Sequence, residues 1–410
     1  MRILLVNTYE HKGGAAIAAH RAFEGLNEAG LEVAYLVQNR QSSDPSILIS
    51  GNLLTRRLNF LRPYIDFIRV LPMTRSRTLF STSPLPDQVP CVIRRWNPDI
   101  VHLNWITGGF MRPESLLMMN RPIVWTLHDM WAFTGGCHYT YSCNRYLTGC
   151  GRCPILHSRK DDDLSARMFR RKANIYNQLD NLVIVTPSRW LASCVKDSPI
   201  LGDKKITVIP NGLDTKQFCP EEKLRARNLL SLPPDKKLIL FGAIRAVRSR
   251  QKGFTLLMEA LNHVKLSGLE LIVFGSSKEG WNGKSPVPVR FMGMIKDDTR
   301  LALLYSAADV ITVPSVQEVF GQSAVEAMAC STPVVAFRNT GLQDIVKHLE
   351  TGYLAEPGNP EDFALGIDWV LNDPSRHQEL SSTSRDRACN LFDIRKTTRQ
   401  LVTLYQSIIL

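Results

Sequence analysis

The chain has 410 residues, which at about 150 residues per domain leaves room for two or three domains, each with a real hydrophobic core. Fifty Lys plus Arg against 38 Asp plus Glu give a formal charge of +12, and 44% apolar with 21% charged residues exclude general disorder and fibrous repeats. Nine cysteines are too sparse for a secreted disulfide scaffold, and no run of about 18 apolar residues offers a bilayer span. The opening Met1-Arg-Ile-Leu-Leu-Val-Asn7 is too short an apolar run for a signal peptide, so a cytoplasmic protein is expected. The positive excess calls for an anionic partner: a phosphorylated ligand, a membrane face or nucleic acid.

Residues 3–6 form a compact apolar run, followed by the turn Lys12-Gly13-Gly14 and an Ala-rich helical pattern over 15–29 that stops at Gly30. A strand at 33–37 completes the opening of a doubly wound parallel sheet. The segment from Leu53 to Phe80 carries Arg56, Arg57, Arg62, Arg69, Arg75 and Arg77 against one acid, Asp66. Leu54, Leu58, Leu61, Ile65 and Ile68 make an apolar stripe along it, with Pro63 bending or restarting the helix. Such a stripe either lies on an anionic membrane or packs on its own domain with the arginines facing water. Further strands fit 100–103, 123–127 and 182–186. His128 falls at the end of the second of these, where α/β sheets place ligands, and Asp129 either orients it or faces a second substrate. Cys137, Cys143, Cys150 and Cys153 follow; the Cys150-Gly-Arg-Cys153 gap suits a structural zinc knuckle, and reduced buried thiols or a disulfide pair are the other readings.

The turn-rich Ile209-Pro-Asn-Gly-Leu213 and Pro233-Pro234 mark a boundary between two α/β halves. Strands are expected at 238–241, 271–274, 289–291, 310–313 and 333–337, alternating with helices near 254–266, 298–306 and 323–330. The fold expected is two Rossmann-like doubly wound domains facing each other across a cleft: 1–200, 201–390, and a last helix within 391–410 that crosses back to the first domain.

The sharpest motif is Glu318-Val-Phe-Gly-Gln-Ser-Ala-Val-Glu326, continued by Ala327-Met-Ala-Cys330, directly after a buried strand. A helix N-terminus is a ready diphosphate site, and Gly321 lets a ligand approach the backbone. Two glutamates bracketing such a turn suit sugar hydroxyls; alternatively one caps the helix and the other is a solvated loop residue.

This motif resembles the signature of retaining glycosyltransferase family 4, which has the GT-B fold. The resemblance extends through Ile209-Pro-Asn-Gly-Leu-Asp214, Leu303-Leu-Tyr-Ser-Ala-Ala-Asp309 and Thr351-Gly-Tyr-Leu354. Trp125-Thr-Leu-His-Asp-Met-Trp131 and the cysteines beyond it resemble family members that build exopolysaccharides or surface polysaccharides. The resemblance implies a nucleotide-diphosphate sugar donor, UDP- or GDP-linked, and a glycan or polyprenyl-diphosphate-linked glycan acceptor. It places hydroxyls of the transferred sugar on Glu318 and the ribose on Glu326. Backbone amides of Phe320, Gly321, Gln322 and Ser323 serve sugar and diphosphate, while Gly275 and the Met292-Gly293-Met294 turn lie by the nucleobase. Lys252 and an arginine, Arg245 in preference to Arg248 or Arg250, neutralise the leaving diphosphate. Gly13 and Gly14 face the sugar phosphates and His128 the donor sugar. No Asp-any-Asp motif appears at the donor site, so transfer without a catalytic metal is expected, from the cytoplasmic side and with peripheral membrane contact. A nucleotide-sugar epimerase and a non-catalytic basic binding module are the rival functions. Helix-turn-helix, RNA-binding sheet and finger motifs are all missing, so no nucleic-acid partner is expected.

Overall fold

In the computed structural model the described residues are all those except 52–58, 69, 75–78, 244–246, 248, 279, 280, 282 and 410. They divide into two compact units, residues 1–209 with 398–410, and residues 210–397.

The first unit holds a seven-stranded sheet of β1 (Arg2–Val6), β2 (Glu32–Val37), β3 (Ile47–Ile49), β4 (Ile100–Leu103), β5 (Ile123–Thr126), β6 (Leu182–Thr186) and β7 (Lys205–Val208). Its order is β3-β2-β1-β4-β5-β6-β7, with every neighbouring pair parallel. The central strands are buried on both faces, as a parallel sheet with helices on either side requires. The last helix, Ile394–Ile409, brings Leu401, Leu404 and Tyr405 into the core that also contains Ile3, Leu5, Val124 and Val185. Tyr405 OH lies 2.5 Å from Nδ1 of the buried His102, whose Nε2 meets Thr126 Oγ1 at 2.7 Å.

The second unit is a six-stranded parallel sheet of β8 (Lys237–Gly242), β9 (Leu269–Phe274), β10 (Val289–Gly293), β11 (Val310–Val313), β12 (Val334–Phe337) and β13 (Gly352–Ala355), in the order β10-β9-β8-β11-β12-β13. Alternate residues serve opposite cores: Leu238, Leu240, Ile311 and Val334 one, Ile239, Phe241, Val310 and Val335 the other. Two packed cores on one sheet fix the register, since a one-residue slip would exchange them. The helix expected over 254–266 stops at Leu261, and the amides of Lys265 and Leu266 are taken up by the Asp368 carboxylate. The strands β3, β7 and β13 lie outside the sequence expectation.

Candidate active site

In an open parallel sheet, ligands bind beyond the carboxyl ends of the strands where the strand order reverses. In the second unit that point lies between β8 and β11. The loop after β8 closes in a tight turn, Arg250–Lys252, followed by Gly253 at φ 71°. A Cβ on Gly253 would stand 1.9 Å from the carbonyl oxygen of Pro314, so only glycine lets this turn lie against the loop after β11. The two loops are joined by Val316 N to Gln251 O at 2.8 Å and by Gln251 Nε2 to Gln317 O at 2.9 Å. This docking carries Lys252 Nζ to 2.6 Å from Glu318 Oε2, which also accepts from Ser315 Oγ at 3.2 Å. The glutamate loop is held in turn from the loop after β12. Asn339 Nδ2 donates to Val316 O at 2.9 Å, Glu318 N to Thr340 Oγ1 at 3.0 Å, and Gly341 N to Glu318 O at 2.8 Å. Gln251, Ser315, Asn339 and Thr340 were missed by the sequence reading; an Asn-Thr-Gly turn after a buried strand was the available signal.

Gly321, at φ 107°, starts the helix Gln322–Ala329. With glycine as N-cap no side chain closes the helix start, which is the positive end of the helix dipole. Phe320 is buried edge-to-face on Phe392, leaving its backbone rather than its ring for a ligand. Glu326 is buried, and its Oε2 accepts Tyr305 OH at 2.8 Å, which fixes the carboxylate on the helix's second turn. Gly275 and Gly293, both at positive φ, join at the ends of β9 and β10 through Gly275 N to Gly293 O at 2.8 Å, with Met292 packed on the core beside them. Lys252, Glu318 and Gly321 therefore lie together in the loops at the carboxyl ends of β8 and β11, Glu326 follows in the helix, and Gly275 and Gly293 lie at the ends of β9 and β10. Arg245 and Arg248 lie outside the described residues.

The first unit has its own reversal point, between β1 and β4. Thr8 N donates to Trp105 O at 2.7 Å and Trp105 N to Asn7 Oδ1 at 2.8 Å, joining the loops after these strands. Gly13, at φ 94°, caps helix Gly14–Glu28 without a side chain. His128 Nε2 stands 2.9 Å from Asn104 Oδ1, and burial pulls its imidazole down to about 4 against the opposing pull of Asp129, leaving it neutral at pH 7. Asp129 is buried, and its carboxylate is engaged by residues other than His128. Its Oδ2 takes Trp105 Nε1 at 2.7 Å and His138 Nδ1 at 2.5 Å, and its Oδ1 takes Trp131 N at 2.8 Å. His138 continues to Ser81 Oγ at 3.0 Å, but serine and histidine are both buried, so this chain is framework.

The four clustered cysteines are free thiols, and each of Cys137, Cys150 and Cys153 is pushed above the ordinary thiol range by burial and by its cysteine neighbours, Cys150 to about 12. Among the described residues no group of three or more His, Cys, Asp or Glu side chains is disposed to hold a metal ion, so the zinc expectation at Cys137, Cys143, Cys150 and Cys153 is not met. Lys172, fully buried, donates to Trp131 O and lies 4.0 Å from that indole's centre.

The family description "Glycosyltransferase Family 4" matches residues 12–217, and "Glycosyl transferases group 1" matches residues 225–387. The chain belongs to glycosyltransferase family 4. An uncharacterized glycosyltransferase of Methanocaldococcus jannaschii is 30% identical over 336 residues, covering 75% of this chain and 82% of that protein. D-inositol 3-phosphate glycosyltransferase 2 of Catenulispora acidiphila is 32% identical over 201 residues, 45% of this chain and 46% of that enzyme, so the match spans about half of its length. Among solved structures, sucrose-phosphate synthase from Thermosynechococcus elongatus superposes with a TM-score of 0.71 at 22% identity, over 100% of this chain and 99% of that one. Anabaena HepE, solved in complex with UDP, gives 0.67 at 17% identity, over 99% and 100%. This family 4 member has the GT-B fold, a pair of parallel α/β sheet domains.

Proposed function

We propose that this glycosyltransferase moves a hexose-type sugar from a UDP- or GDP-sugar to a glycan or polyprenyl-diphosphate-linked glycan in polysaccharide biosynthesis, in the cytoplasm. The observation that carries the proposal is the Lys252–Glu318 pair at the β8/β11 reversal, in the loop that leads into a helix start capped only by glycine. An ammonium and the positive end of a helix suit a diphosphate that gains charge as the glycosidic bond breaks. Glu318 accepts hydrogen bonds from hydroxyls of the transferred sugar once the diphosphate draws Lys252 away, and Glu326, steadied by Tyr305, accepts those of the ribose. With cations and amides holding the leaving group, departure toward an oxocarbenium-like state needs no catalytic metal. Attack then follows from the same face, with retention, and the diphosphate oxygen takes the acceptor's proton. Gly13, Gly14 and the neutral His128 are assigned to the donor by the family resemblance.

A thermal-shift panel of nucleotides and nucleotide sugars, followed by a nucleotide-release assay on the hits, tests this reading. We expect stabilisation by one nucleotide-diphosphate series and release that depends on an added acceptor. Release without acceptor and with an altered sugar would identify an epimerase, and the absence of any nucleotide response would refute the donor site. Because relatives carry D-inositol 3-phosphate glycosyltransferase names, a polyol phosphate belongs in the acceptor panel.

A further inference from the structure

The turn after β12 holds one residue in a conformation that its own side chain resists. Thr340 has φ 52°, and it is the single β-branched residue at positive φ among the described residues; the others are serine, asparagine, tyrosine, cysteine, arginine, histidine, leucine and glycine. In this region Cβ crowds the backbone and a branch at Cβ worsens the crowding, so such a residue persists only where its surroundings impose it. The surroundings here are the backbone of Glu318. Thr340 Oγ1 accepts Glu318 N at 3.0 Å and donates to Asn339 Oδ1 at 3.2 Å. Asn339 Nδ2 donates in turn to Ser315 O at 3.3 Å and Val316 O at 2.9 Å, at the start of the same glutamate loop. The next residue, Gly341, donates its N–H to Glu318 O at 2.8 Å, and a Cβ on it would stand 2.0 Å from Val319 O. Both backbone polar groups of Glu318 are thus tied to two successive residues of one turn.

Glycine at position 340 would take up the same φ without strain. What threonine adds there is a hydroxyl, and that hydroxyl joins Glu318 N to the Asn339 amide. Strained backbone held in place by its neighbours is a recurring feature of sites that need preorganised groups. We propose that Thr340 is a positioning residue for sugar transfer, a role that rests on Glu318 holding hydroxyls of the transferred sugar. The Thr340 hydroxyl sets the Glu318 peptide, and the peptide aims the carboxylate. A group of this kind works only when held to within about 0.5 Å of its productive place, so a loosened peptide lowers turnover. The diphosphate, assigned to Lys252 and the helix start, keeps its partners when the Thr340 hydroxyl is removed.

Three variants of the full chain separate the hydroxyl from the strain. Thr340→Ser keeps the hydroxyl and loses the branch, Thr340→Val keeps the branch and loses the hydroxyl, and Thr340→Gly loses both. Turnover is read as nucleotide release from the UDP- or GDP-hexose that the unaltered chain uses, and it should follow the hydroxyl rather than the stability. Thr340→Ser is expected to keep kcat within about twofold of the unaltered chain. Thr340→Gly should melt within about 2 °C of Thr340→Ser yet lose roughly 10–10²-fold in kcat, with the Kd for UDP or GDP alone within about threefold. Thr340→Val should lose kcat to a similar degree, and because valine restricts the backbone as threonine does, a freer turn does not account for that loss. Hydrogen exchange of the Glu318 amide should quicken by about tenfold or more in the glycine and valine variants but not in Thr340→Ser, a readout that needs no substrate. Undiminished kcat in Thr340→Gly or Thr340→Val, unchanged Glu318 exchange, or kcat losses that track melting temperature across the three variants would overturn the proposal. If the unaltered chain binds no nucleotide, the donor site and this role fall together; normal nucleotide binding with indifferent variants removes the role of Thr340 alone.

Discussion

Replacing Glu318 by Gln should move binding and turnover in opposite directions. The carboxylate is 15% and the ammonium 27% exposed, so the 2.6 Å pair is partly screened and its net coupling is about 1 kcal/mol rather than the much larger Coulomb figure for a dry interior. A free nucleoside diphosphate must displace Glu318 from Lys252 to use that cation. Removing the competing charge should therefore tighten binding of UDP or GDP alone by about 1 kcal/mol, roughly fivefold in Kd. Sugar transfer should fall by about 10²–10³, the usual consequence of losing one preorganised polar contact that strengthens in the transition state. Calorimetric titration with the diphosphate and initial rates with the full donor read the two effects separately. A merely structural loss would weaken both, because a loosened loop binds phosphate less well. Parallel decreases, or wild-type values for both, would refute the roles given to Lys252 and Glu318.

Gly253→Ala should destabilise the second unit by about 2–4 kcal/mol, since a left-handed φ and a Cβ directed at the Pro314 carbonyl both oppose it; thermal melting measures this, and unchanged melting would mean the two loops are not docked as described. Tyr305→Phe leaves the buried Glu326 carboxylate short of a donor worth about 1.5–3 kcal/mol, and should raise the donor KM more than it lowers kcat. His128, pulled to about 4, and His102, pulled to about 3, lie below their ordinary values in the folded state, so protons bind the unfolded chain first. The stability they confer is complete above about pH 6.5 and lost as pH falls toward 4 and below, so His128→Gln should flatten the acid limb of a melting-temperature profile. An unaltered limb would show that His128 titrates normally.

The central strands of both sheets were legible from short apolar runs and glycine turns, because a parallel sheet buries its central strands on both faces and writes them as short uninterrupted blocks. The edge strands were not. β7 is Lys-Ile-Thr-Val with both end residues exposed and the middle two half-buried, and β13 begins at Gly352, where any Cβ would run into the Val334 carbonyl. The donor loop was readable because Glu318, Gly321 and Glu326 lie on one continuous stretch, whereas its supports come from the loops after β8 and β12, and sequence carries no distance between them. Helical period found the stripe of Leu61, Ile65 and Ile68 but could not say which face turns inward. Arg62 and Asp66 decide that through partners 47 and 16 residues away. Asp129 illustrates the same limit, since its neighbour in sequence is His128 and its partner in space is His138.

The placement of Leu401, Leu404 and Tyr405 inside the first unit bears on how the protein is made. These three side chains contribute about 1.5–3 kcal/mol each on burial, a sum comparable with the whole net stability of a domain. The half of the chain that leaves the ribosome first thus cannot close its core until residues beyond Thr397 have been synthesised, after the second unit is already complete. A chain cut after Thr397 should consequently be recovered insoluble or degraded even though every proposed donor residue is present. The order of synthesis and the order of completion run opposite ways.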